Sequence, residues 1–260
     1  MKNSIFFFFA LVLILGGGLT KSFAQDFTGG QITYEQIIDY QLEGVYDHPS
    51  WDSYIADLPK KGKSVHVLSF TTNEALYQED LSKKAALSKH LSTALDKANY
   101  AKGPQPEIKQ TYYDFTQQKR IEQLEFMTRS FQVESDMEPK AWKLSGQKKK
   151  VLDYVCMGAD LTVGEETITA WFSPRIPVSA GPGRYHGLPG LILGLEKNGE
   201  VFLLATSIDF TAPQESLRSQ LNKGQKISRE KFDQVVEEKL EEYRKIKAAE
   251  KSMKGKSKKY

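Results

Sequence analysis

The chain has 260 residues, a formal charge of +3 and one cysteine, Cys156. That length fits one domain with an appended helix, and it can bury a core without the disulfides that a lone cysteine could not supply. Residues 1–24 carry Lys2 and Lys21 and no acid, and residues 251–260 hold five lysines and no acid, so residues 25–250 are left at about −4; a broad nucleic-acid surface on the body is excluded.

Lys2, the apolar and glycine-rich run Ile5 to Leu19, and the small residues of Ser22-Phe23-Ala24 read as a secretory signal peptide over 1–24. Cleavage is expected between Ala24 and Gln25. The run is shorter than the ~20 residues a spanning helix needs. No cysteine follows it, so the expected product is not a lipoprotein, and no later segment is apolar enough to span a membrane. The chain is therefore expected to be exported, to the periplasm or the outer surface.

Gly30 to Gln41 and Lys63 to Phe70 alternate at a period of two and read as strands. Asp47 to Trp51 reads as a turn into a short irregular piece. Gln78 to Tyr100 changes to helical spacing through Leu81, Ala85, Leu91 and Leu95, with Asp80 or Ser82 as cap and Gly103-Pro104 as terminator. Short strands follow at Tyr112–Arg120, Arg120–Phe126, Ser130–Glu134, Ala141–Leu144, Val151–Met157, Glu166–Ser173, Leu191–Glu196 and Val201–Asp209. Gly146 to Lys150 reads as a charged turn, and Lys197-Asn198-Gly199 as a hairpin turn. Ser228 to Met253 is a helix whose stripe of Phe232, Val235, Val236, Leu240, Tyr243 and Ile246 is interrupted by Lys239, which favours a packed or projecting helix over a coiled coil. The pattern predicts a mainly β fold: a curved antiparallel sheet, as bowl, open barrel or sandwich, with one internal helix and a long C-terminal helix. It divides into a β-rich part at 25–210 and a helix with a lysine-rich tail at 211–260.

No catalytic set assembles from the sequence. His48, His66, His90 and His186 are scattered without metal-ligand spacing, so no metal and no cofactor are expected. Ser179 lacks a nucleophile elbow. Gly181, Gly183 and Gly187 fail as a phosphate cradle, because the spacing is wrong and Pro182 removes a backbone N–H. Cys156 with His186 is the one Cys–His pairing available, but its apolar alternation suggests a buried thiol. Glu165-Glu166 and Asp136/Glu138 are acidic pairs in turns, where solvation is the usual fate.

The segment Ile168 to Leu193 is the most specific stretch. It contains Gly187-Leu188-Pro189-Gly190-Leu191-Ile192, and with Trp142-Lys-Leu144, Tyr154-Val-Cys156, Thr169-Ala-Trp-Phe172, Ile176-Pro177 and Gly181-Pro182-Gly183 it resembles the GLPGLI family of secreted Bacteroidota proteins. The resemblance covers about Ala141 to Glu196. It implies an exported protein without an established reaction, and an architecture similar to the bowl-like N-terminal domain of a secreted peptide N-glycosidase, used as an accessory module. The glycosidase activity is not carried over, because the chain has no room for the catalytic part. The expected role is a non-catalytic binding or accessory protein of the cell envelope, with an envelope protein or ligand as partner. The alternatives are a carrier of an apolar or glycan ligand in the bowl, and a hydrolase using Cys156/His186 or a carboxylate pair. Trp171, Arg184, Tyr185 and His186 are the candidate exposed binding groups of the motif segment.

Overall fold

A computed structural model describes residues 28–257; the expected signal peptide, 1–24, lies outside the described residues. One mostly antiparallel sheet of twelve strands organises the chain. Its strands are β1 (Gly29–Asp39), β2 (Lys61–Thr71), β3 (Glu74–Glu79), β4 (Glu107–Asp114), β5 (Lys119–Phe126), β6 (Arg129–Asp136), β7 (Lys143–Val151), β8 (Tyr154–Val163), β9 (Glu166–Ser173), β10 (Leu191–Lys197), β11 (Glu200–Asp209) and β12 (Gln225–Ser228). Helices α1 (Pro49–Ile55), α2 (Lys89–Lys102) and α3 (Arg229–Ser257) complete it. Across the sheet the order is β12-β6-β5-β4-β3-β2-β1-β11-β10-β9-β8-β7. Two meanders therefore meet where β1 pairs with β11. β12 is the exception to antiparallel pairing, running parallel to β6.

Cross-strand register defines one core-forming face. Ile32 lies opposite Leu68, Leu68 opposite Tyr77, Phe70 opposite Ala75 and Ala75 opposite Tyr113. On the other side Tyr34 faces Ala205, Leu203 faces Leu195 and Leu195 faces Ala170. These side chains form one buried cluster with Ile176, Val178, Ala180 and Leu188, all from the loop between β9 and β10. The sheet thus wraps around its own loop, and the concavity is filled. Burial of this apolar surface, at about 25 cal/mol per Å², is the main stabilising term.

Smaller clusters attach the rest. Trp51 of α1 and Leu91, Ala94 and Ala98 of α2 bury together with Leu42. Phe232 of α3 inserts against Phe126 and Phe131, with ring centroids 6.3 and 5.2 Å away. Further along α3, the Tyr243 hydroxyl donates to the carbonyls of Tyr100 and Ala101 at the end of α2. On the opposite sheet face Leu217 packs with Leu76, Tyr112 and Ile121.

The mainly β class, the internal helix and the long C-terminal helix match the sequence reading, and several boundaries differ. The expected helix over 78–100 begins in the last two residues of β3, passes through a short 3-10 turn capped by Asp80, and is helical only from Lys89, in α2 capped by Ser88. Leu81 and Leu87, which contributed to the apparent helical period, are exposed. The charged turn at 146–150 is the body of β7, which absorbs Gly146 in a bulge between Leu144 and Lys148. Asn198 and Gly199 adopt φ of 50° and 85° and close the β10–β11 hairpin. Among the described residues no helix is long and apolar enough to cross a membrane.

Candidate functional site

The motif segment is held by its backbone. Leu191 N donates to Ile176 O at 3.0 Å, Ile192 N to Ala180 O at 3.1 Å and Gly187 N to Ser179 O at 3.1 Å. Side chains from β1, β4 and the residue before β7 reach in to it. The Tyr34 hydroxyl donates to Ile192 O at 2.6 Å, the Trp142 indole to His186 O at 2.8 Å, and the Tyr113 hydroxyl to Gly183 O. Leu188, Leu191 and Ile192 are buried. Gly190 is required by a close approach: a Cβ there would lie 2.6 Å from the Ser173 carbonyl carbon. Gly187 has φ of 90°, a left-handed conformation that glycine adopts without strain.

The four candidate binding groups do not converge as one exposed platform. Trp171 is buried, on the sheet face opposite Ala170 and Phe172. It pairs with Gly158 on one neighbouring strand and Gly194 on the other, so its indole has room to lie flat across them. The Lys149 ammonium sits 5.4 Å from its ring centroid. His186 is also buried, its ring 5.2 Å from that of Tyr113. Tyr185 is half-buried and Arg184 exposed. Both corrections follow from packing: a large aromatic opposite two glycines and an imidazole against the Tyr113 ring both fill space that the sheet would otherwise leave empty.

Sequence reading missed a charged cluster on the core-forming face. Register places Tyr113, Arg120 and Ser135 in one row, and Thr111, Glu122 and Val133 in the next. Here the apolar lining gives way to polar groups. The Glu122 side chain is 0% exposed. Its Oε1 accepts from Arg184 Nε at 2.6 Å, and its Oε2 accepts from Arg229. Arg120 Nε lies 3.9 Å from Oε1, too far for a hydrogen bond. Lys140 is held below the usual lysine range, chiefly by burial and then by the like charge of Arg120. His186 is pushed down to about 4 by burial and by Lys140 and Arg120, so its ring is neutral at pH 7. Burial raises the Tyr113 phenol above its usual range, so it stays a donor. Thr111 Oγ1, Arg120 Nε, Ser135 Oγ and His186 Nε2 are buried without hydrogen-bond partners among the described residues. A trace of this cluster is present in the sequence: the β5 alternation that buries Leu124 and Phe126 puts Arg120 and Glu122 on the same side.

The remaining candidates lie elsewhere. The Cys156 Sγ is buried with the apolar core, donates to Tyr154 O at 3.8 Å, and is pushed up to about 11 by burial, so it is a neutral thiol at pH 7. His48 Nδ1 caps α1, His66 bonds Ser64 at 2.9 Å and stacks on Tyr77, and His90 packs on Tyr54. Glu166 pairs with Lys197 at 2.5 Å and Asp136 with Lys119 at 2.6 Å. Among the described residues no three His, Cys, Asp or Glu side chains are grouped to hold a metal. Cavities are present among the described residues. One, of about 990 Å³, lies between β5, β6, β12 and the start of α3; another, of about 710 Å³, lies between the end of β1 and α1. Neither has an aromatic residue in its lining.

No curated protein matches the sequence. The fold is similar to that of PNGF-II in two crystal forms: in the P21 form at a TM-score of 0.52 and 15% identity over 80% of this chain, in the C2 form at 0.51 and 15% over 78%. This chain spans about a third of PNGF-II, 32% and 31% in the two forms. Residues 161–194, which run from β8 through the motif into β10, match the family described as "Protein of unknown function (Porph_ging)".

Proposed function

We propose that the chain is an exported, non-catalytic binding or accessory protein of the bacterial cell envelope. The observation that carries this reading is the state of the motif loop: its backbone and apolar side chains are consumed in filling the sheet, and Arg184 is left exposed at its tip. A rigid loop whose tip residue, Arg184, is half-exposed while Glu122 fixes its guanidinium is suited to docking, since little entropy is lost when it binds. The neutral buried thiol and the separate ion pairing of Glu166 and Asp136 give nucleophilic or paired-carboxylate chemistry no support. The finer architectural likeness, to a bowl-like accessory domain of a peptide N-glycosidase, fits the same reading, because the shared fold occupies about a third of PNGF-II. Export rests on the signal-like residues 1–24.

The test is capture from envelope extract with the tagged full chain, read by mass spectrometry. Arg184→Ala combined with Tyr185→Ala is expected to lose partners that the wild type retains. A doubly substituted protein that folds normally and keeps every partner refutes the docking role.

A further inference from the structure

The distal part of α3 carries a charge that the helix itself does not balance. Earlier along α3, acids and bases pair: Arg229 with Asp233, Arg244 with Glu237 and Lys239 with Glu242. The supply of acids then stops. Residues 245–260 hold seven lysines and one acid, Glu250, a surplus of six. That acid is engaged already, accepting from the Tyr100 hydroxyl of α2 at 3.0 Å and pairing with Lys247 at 3.4 Å. The neighbouring surface does not cancel the surplus, because α2 adds Lys89, Lys97 and Lys102 against Asp96. Lysines offset the macrodipole at a helix C-terminus, but that effect is confined to the last turn, and this run is longer.

The same stretch shows an apolar stripe to solvent. Tyr243, Lys247 and Glu250, at i, i+4 and i+7, form the side of α3 that meets α2. Ile246, Ala249 and Met253 repeat at i, i+3 and i+7, about a quarter-turn away. They are not spent on the body: Ile246 is 57% and Met253 70% exposed. An exposed apolar stripe beside a block of lysines suits a helix that settles at a lipid headgroup boundary. A soluble polyanion would use the lysines and leave the stripe in water. The acids upstream are compatible with such a surface if α3 meets it by its end. Glu242 lies about 16 Å along the axis from Met253, and a tilt of about 30° lifts it by ~8 Å, one Debye length at physiological salt.

We propose that α3 from Lys245 onward docks the protein on an anionic phospholipid leaflet, with its lysines among the headgroup phosphates and Ile246, Ala249 and Met253 at the acyl boundary. Each lysine near the surface is drawn by the negative surface potential, and the apolar stripe adds burial that charge alone does not supply. The surface goes beyond the docking role of Arg184, and either can fail without the other.

The experiment is vesicle flotation with the protein from Gln25 onward. That form keeps every described residue and lacks the apolar run at 5–19, which would enter vesicles by itself. The vesicles are phosphatidylcholine alone or phosphatidylcholine mixed with phosphatidylglycerol; polygalacturonate, titrated calorimetrically, stands for a soluble polyanion. Binding is expected to the mixed vesicles and not to phosphatidylcholine, and it should weaken as salt is raised. Replacing Lys251, Lys254, Lys256, Lys258 and Lys259 by Gln should weaken it by about tenfold or more. Ile246→Gln combined with Met253→Gln should weaken vesicle binding by about threefold or more. Gln keeps helix propensity, and Ile246 and Met253 are exposed while the five lysines follow Glu250, so both variants are expected to fold; should one fail, the other decides. Four results would overturn the proposal: no flotation with mixed vesicles, equal flotation with phosphatidylcholine, a folded variant that binds mixed vesicles as tightly as the wild type, or tighter binding to polygalacturonate, which would make the partner a polymer.

Discussion

Replacing Glu122 by Gln tests whether the charged cluster is integral to the fold. The substitution preserves shape but removes the negative charge and turns one acceptor into a donor aimed at an arginine. Glu122 is 0% exposed and takes hydrogen bonds from Arg184 and Arg229, with Arg120 at 3.9 Å. Breaking a buried ion pair by removing one partner costs ~3–5 kcal/mol. The Arg184 side chain is 51% exposed and can turn to solvent, whereas Arg229 at 25% and Arg120 at 14% cannot do so freely. The cost should therefore sit near the lower end, at about 3 kcal/mol. For a chain of this size that lowers the Tm by about 6–12 °C. Thermal and urea unfolding followed by circular dichroism would measure it. Adding Arg120→Met should recover part of the loss, giving a coupling energy of roughly 1 kcal/mol in a double-mutant cycle. A Glu122→Gln protein with a Tm within about 2 °C of wild type would mean that Arg184 and Arg229 are not held by this carboxylate.

Other expectations concern single groups. His186 is depressed to about 4 by burial and by Lys140 and Arg120, while an imidazole in an unfolded chain titrates near ~6.5. Its contribution is therefore complete above about pH 6.5 and is lost as pH falls toward 4, by on the order of 3 kcal/mol. Urea midpoints across that range should fall less steeply for His186→Asn; identical slopes would remove His186 as the cause. Cys156, with its thiol pushed up to about 11, should resist a disulfide reagent in the folded protein and react in denaturant; rapid native labelling would contradict its burial. Gly190→Ala should cost about 1–3 kcal/mol in strain and clash against Ser173, and more than Gly187→Ala, which has open space around it and only φ strain. The reverse order by urea unfolding would refute the account of the motif as a packing device.

Local chemistry made much of the sheet legible. The span Glu166–Ser173 coincides with β9, because its alternation is uninterrupted and charged residues precede it. Asn198-Gly199 announced the last hairpin through its tolerance of positive φ. β3 was hidden because Leu81, Ala85 and Leu91 continue at helical spacing just beyond it, and periodicity alone cannot tell exposed leucines from buried ones. The lysines of β7 imitated a turn, since an outermost strand is free to be polar. The charged cluster was out of reach for a different reason. Glu122 meets Arg184 across 62 positions and Arg229 across 107, and only the folded sheet brings those arginines together. Trp171 and His186 looked like exposed groups because their loop is rich in glycine and proline. The residues that meet them, Gly158, Gly194 and Tyr113 on other strands and Trp142 just before β7, lie outside that loop.

A twelve-stranded sheet that does not close has two free margins, and each invites another chain to add a strand. On one margin β12 offers only four residues before the chain turns into α3, which leaves little length for a newcomer to zip onto. On the other, β7 carries Lys143, Lys148, Lys149 and Lys150 and is broken by its bulge, so an approaching strand meets positive charge and a lost register. The lysine-rich stretch thus makes this margin a poor template for edge-to-edge pairing.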